Sequence, residues 1–144
     1  MAGCIVLPSL SGRRRLADAA PRLAALIVER MAVTFAWGVH DCALWAADAI
    51  QAQLGADPAQ PLRGTYRTQR QALRVMAPLG GLRGVATAVL GRPLAQPLAA
   101  RAGDVGLVRW GALAVCTGET WMAPARHGLG HLPLEDVDCA WRVG

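Results

Sequence analysis

Residues 35–50 read FAWGVHDCALWAADAI, and in them a histidine, an aspartate and a cysteine stand side by side where an apolar helix begins. A cysteine in the first turn of a helix meets the positive end of the helix dipole and free backbone N–H groups, which stabilise a thiolate. Cys42 therefore holds the kind of position a cysteine nucleophile uses. The same stretch also fits a plain core cysteine. Cys42, Trp45, Ala46, Ala49 and Ile50 fall at i, i+3, i+4, i+7 and i+8 and make one apolar face. Nucleophilic chemistry needs a base. His40 is two residues before Cys42, and side chains at that separation do not face each other on a helix. Capping or packing of the helix start is its simpler role. His127 and His131, in a glycine-rich segment, are the other candidate bases, and no spacing ties either one to Cys42.

The remaining polar residues suggest local structure. Asp41 is a good N-cap type. Asp104 follows Gly103 and suits the hydrogen bonds of a turn. Glu135, Asp136 and Asp138 form an acidic loop without metal-ligand spacing, so neither a metal site nor a cofactor is expected. The four cysteines, Cys4, Cys42, Cys116 and Cys139, contain no CxxC pair. Cys116 and Cys139 sit in apolar surroundings and read as small core residues. Disulfides are not expected in a cytoplasmic product. "AGC" at residues 2–4 looks like the end of a lipoprotein signal, but no basic region or apolar stretch precedes it, so no lipid is expected on Cys4.

The elements that must position Cys42 follow from composition and pattern. A chain of 144 residues with 53% hydrophobic and 17% charged residues makes one globular domain. Its apolar runs are broken by Arg22, Glu29, Arg30 and Asp48, short of the ~18 residues of a membrane span. All fifteen basic residues are arginine and the net charge is +5, yet the arginines are dispersed. The one cluster, Arg13 to Arg15, reads as a solvated tail, and no nucleic-acid-binding pattern accompanies it. Residues 1–18 are expected to form a loosely held arm and residues 19–144 a single domain. Helices are predicted over 21–31, 41–54, 68–76 and 82–90. Strands are predicted over 105–110, 113–116, 120–123 and 138–143, with 126–133 as loop. Helices first and antiparallel strands after give an α+β fold, with N-terminal helices packed on a small C-terminal sheet.

Four blocks carry a resemblance. DCALWAADAI, RAGDVGLV, ALAVCTG and ETWMA together resemble the NlpC-type papain-like cysteine peptidases of the cell wall. FAWGVHDCALWAADAI, DPAQPLRGTYRT and LGGLRGVATAVLG look like a domain family of tailed phages and prophages, whose genes lie among those for the tail tip and baseplate. The resemblance implies an NlpC-like core and a place in the virion, the protein being made in the bacterial host's cytoplasm. It implies other tail proteins (hub, distal tail and tip) as partners. It also implies a departure. Ala112 falls where the peptidases open a strand with their catalytic histidine, and Ala123 falls near their third polar residue; only Cys42 remains. A thiol without a base stays mostly protonated near neutral pH and has no proton to give a leaving amine. The expectation is a structural tail-tip or baseplate protein on an inactive hydrolase fold, with tryptophans and arginines available as interface anchors. The alternative is an active endopeptidase or amidase that opens peptidoglycan, with Cys42 as nucleophile and His40, His127 or His131 as base. A nucleic-acid-binding or general cytoplasmic protein is the third option.

Overall fold

The first half of the chain is helical, with side-chain caps at Asp41 and Thr68 and helix-ending glycines at Gly55 and Gly91. In the computed structural model, which describes residues 5–144, the helices are α1 (Ala19–Arg30), α2 (Cys42–Leu54), α3 (Gln69–Met76) and α4 (Gly81–Leu90). Cys4, and with it the question of its lipidation, falls outside the described residues. Five strands follow: β1 (Val105–Val108), β2 (Ala112–Cys116), β3 (Thr120–Ala125), β4 (Gly128–Pro133) and β5 (Val137–Trp141). They form one antiparallel sheet in the order β4-β3-β2-β1-β5. The fold is α+β, as the order of predicted elements requires.

Helix α2 is the central element. Asp41 caps it by accepting from Leu44 N at 3.0 Å, and Gly55 ends it in the left-handed region at φ 79°. Nine of its thirteen residues are buried, so it is apolar on most of its circumference and lies between α1 and the sheet. Fully buried Trp45 donates its indole N–H to the Met122 carbonyl of β3 at 2.9 Å, tying helix to sheet. Helix α3 starts at Thr68, whose hydroxyl accepts from Gln71 N.

The sheet has two apolar faces, divided by the period of two along each strand. Val105, Leu113, Val115, Met122, Cys139 and Trp141 face the helices. Val108, Ala114, Cys116, Trp121, Ala123 and Ala140 form the opposite face, covered by Leu94, Ala100 and Leu134. Gly106 on β1 gives way to the Trp121 ring, since a Cβ there would stand 2.6 Å from two ring carbons.

Two expectations are corrected. The described part of the N-terminal segment is held firmly rather than loosely. Leu7 and Leu10 are buried, Leu10 N bonds to Val89 O at 2.7 Å, and Leu16 N bonds to Gln53 O at 2.8 Å. Arg15 leaves the solvated cluster to donate to Val143 O at 2.7 Å and to Asp104 Oδ1 at 3.3 Å. The segment is irregular, so it has no hydrophobic period to be read. The second correction is at 128–133, expected as loop, which is β4 and pairs with β3 through six register positions. Its two glycines and one proline give it little strand propensity of its own, and pairing with its neighbour overrides that.

Candidate functional site at the start of α2

The stretch before α2 folds into a tight reversal. Ala36 N bonds to His40 O at 3.1 Å and His40 N bonds back to Ala36 O at 2.8 Å. Gly38 makes the bend at φ 80°, pressed against the Tyr66 carbonyl where a Cβ would collide. Asp41 closes it. Its buried carboxylate accepts from Leu44 N at 3.0 Å, Gly38 N at 2.9 Å and the Tyr66 hydroxyl at 2.8 Å. Burial and this neighbouring carboxylate hold the Tyr66 phenol well above its usual pKa, so it remains a donor.

Cys42 is the first residue of α2, directly after this cap. Burial pushes its thiol up to about 11, against the pull of backbone N–H groups including that of Leu113 on β2. The Asp41 carboxylate adds to the rise. The stabilisation that a helix N-terminus offers a thiolate is thus outweighed, and the thiol stays protonated near neutral pH, as expected of a cysteine without a base. The cap's negative charge occupies the helix N-terminus, and desolvation outweighs the remaining dipoles. The thiol faces an apolar groove of about 360 Å³ whose walls include Trp37, Ala72, Leu73, Met76, Leu82 and Gly111.

None of the three candidate histidines hydrogen-bonds the thiol. His40 is buried, with Nδ1 3.4 Å from Arg30 Nη1 and its ring edge-to-face with Trp45. Its Nε2 is buried without a partner. Burial, and then the Arg30 charge, lower its pKa, so it is neutral near pH 7. His127 is exposed in the β3–β4 turn. His131 is exposed on β4, with Nδ1 2.8 Å from the Thr120 hydroxyl. Strand β4 is the sheet's edge, and β3 separates it from β2.

Strand alternation decides which residues near the two positions singled out by the resemblance face α2. Ala112 and Ala123 belong to the face turned away from α2. The residues turned toward α2 are Leu113 and Met122, and Gly111 lines the groove at the head of β2. A slip of one residue exchanges the two faces of a strand. The chemical outcome is unchanged, because none of these side chains accepts a proton.

Sequence reasoning missed the charge networks that brace the site. Arg30 donates to Asp48 at 2.8 Å, Asp48 accepts from Arg63 at 2.6 Å, and Arg63 reaches Asp57 at 2.8 Å. Asp104 makes its expected turn bond, accepting from Arg101 N at 2.8 Å. It also joins the chain's two ends. Fully buried, it accepts from Val143 N at 2.9 Å and from Arg15, with Arg142 Nη1 3.3 Å from its other oxygen. Buried aspartates in an arginine-rich chain were the available signal, since a buried carboxylate requires partners. Cys116 and Cys139 are buried free cysteines, as expected. Among the described residues no group of three His, Cys, Asp or Glu is placed to hold a metal ion.

Fold and site define an α+β domain whose buried helix sets a cysteine against an antiparallel sheet, with apolar residues around the thiol. Residues 14–143 match the model of a domain family of unknown function, DUF6950, and the chain belongs to that family. No curated protein and no solved structure matches it.

Proposed function

We propose that this chain is a non-catalytic assembly protein of a phage or prophage tail tip or baseplate, built on an NlpC-like core that has lost hydrolysis. One observation carries the loss of chemistry: none of the three histidines hydrogen-bonds the Cys42 thiol, which sits beside the Asp41 cap with apolar residues around it. Removing one member of a nucleophile–base unit can cost about as much as removing all of it. The four-helix-then-sheet order, with the cysteine at the start of the helix that crosses β2, supports the NlpC-like core. The tail-tip assignment rests on the signature at residues 35–50 and its companion blocks. Hub, distal tail and tip proteins are then the partners, the virion is the location, and peptidoglycan is a substrate only under the alternative.

Two measurements test this. Mass spectrometry of purified particles from a phage or induced prophage carrying the gene should find the chain in the tail fraction, and its absence refutes the assignment. Purified protein incubated with peptidoglycan sacculi should release no more fragments than Cys42→Ala. Cys42-dependent release establishes the peptidase alternative instead.

A further inference from the structure

Between residues 58 and 103 the chain carries seven arginines and no aspartate or glutamate. Arg63 is committed to Asp48 and Asp57. Arg67, Arg70, Arg74 and Arg83 are exposed and make no ion pair among the described residues. They stand on or beside α3 and α4, the helices that wall the groove in front of Cys42. From α3, Ala72, Leu73 and Met76 line that groove, and α4 adds Leu82. Leu73 is 65% exposed at the groove's lip, and Trp110, beside the lining residue Gly111, is 77% exposed and adjoins exposed Arg109. The result is a largely apolar trough, within the ~300–1,000 Å³ that binding pockets span, whose one charged lining residue, Asp41, is already hydrogen-bonded by Leu44 N, Gly38 N and Tyr66, and whose α3 and α4 walls carry arginines without ion-pair partners among the described residues.

We propose that this groove is the docking site for an acidic peptide segment bearing apolar anchor residues. Charge complementarity selects the occupant. The trough takes apolar side chains, and the free guanidinium groups around it favour carboxylates and disfavour basic segments. Concavity separates a peptide from a bilayer. A flat membrane surface meets exposed side chains such as Leu73, whereas a peptide's anchors fill the trough down to Cys42. The assignment of the segment to a neighbouring tail protein rests on the assembly function above; the chemistry of the occupant does not.

A random 12-residue peptide library panned on the full-length chain tests this, with counter-selection on Leu73→Glu and on the double variant Arg70→Glu, Arg74→Glu. All three positions are exposed, and circular dichroism checks that the variants fold. Peptides that depend on Leu73 should be rich in Asp and Glu around Leu, Ile or Phe. One such peptide, labelled with fluorescein, should bind at least ~10-fold more weakly to the double variant. It should bind normally to Arg70→Lys, Arg74→Lys and weaken as salt screens the rim. It should also slow maleimide labelling of Cys42. Leu73-dependent peptides that are basic or uncharged, or no Leu73-dependent peptides at all, overturn the proposal. So does Leu73-dependent binding seen only with phosphatidylserine–phosphatidylcholine vesicles. Absence of the chain from phage particles would refute the assembly function while leaving the peptide selection intact.

Discussion

The reactivity of Cys42 separates a retained nucleophile from a buried thiol. At pH 7.5 an ordinary thiol with pKa ~8.5 is ~10% ionised. The Cys42 thiol, pushed up to about 11 by burial and by Asp41, is ionised to only ~0.03%. The ionised fraction is therefore lower by ~300-fold. A more basic thiolate is a better nucleophile, and a Brønsted slope of ~0.4–0.5 over the difference returns a factor of ~10–18. Cys42 should thus exchange with dithiodipyridine roughly 15- to 30-fold more slowly than free cysteine at pH 7.5. Site-resolved mass spectrometry reads the rate at Cys42 apart from the other cysteines. Restricted access slows the reaction further at every pH but does not change the shape of the profile. That rate should climb ~10-fold per pH unit from pH 8 to pH 10 without a plateau. A plateau at or below neutral pH, or a rate matching free cysteine, would mean that a base or the helix dipole activates the thiol, and would refute the reasoning.

Asp41→Ala should lower unfolding stability by roughly 2–4 kcal/mol in urea titrations, combining a lost N-cap (~1 kcal/mol) with a stranded Tyr66 hydroxyl (~1–3 kcal/mol). Tyr66→Phe, which removes the donor and leaves the cap, should cost less than Asp41→Ala. His40 titrates lower folded than unfolded, so its contribution is complete above the unfolded value of ~6.5 and is lost as pH falls below that value toward the folded pKa. Urea midpoints measured from pH 7.5 down to pH 5 should fall less steeply in His40→Gln than in the natural chain; an equal fall assigns the pH dependence elsewhere.

What was legible in the sequence is what local rules decide. Asp41 and Gly55 bound α2 because a side-chain acceptor and a left-handed glycine are local requirements, and both are found in those roles. The helical face through Cys42, Trp45, Ala46, Ala49 and Ile50 followed from periodicity; the last four are buried and Cys42 is half-buried at the groove. What was not legible depends on distant partners. Leu7 and Leu10 are core residues because α4 and its neighbours accept them. Gly128–Pro133 is a strand because β3 offers it a ladder. The surroundings of Cys42 are likewise non-local. Local position favours a thiolate, whereas burial against Leu113 is set seventy residues away.

The hairpin before β2 decides which of its residues face α2. The sequence pattern runs β1 on to Trp110 and starts the next strand at Leu113. In the structure β1 ends at Val108, opposite Ala112, and Arg109, Trp110 and Gly111 form a three-residue loop with Gly111 at φ 80°. A glycine in the left-handed region at the end of a three-residue loop is a recognised hairpin form, so Gly111 was the available signal. The loop has two consequences. Trp110 stands in solvent instead of in a strand, next in the chain to the groove-lining Gly111. And Leu113, not Ala112, faces the helices. The absence of a base does not depend on choosing between them. Gly111, Ala112 and Leu113 cover every register within one residue of the expected one, and none can take a proton from Cys42.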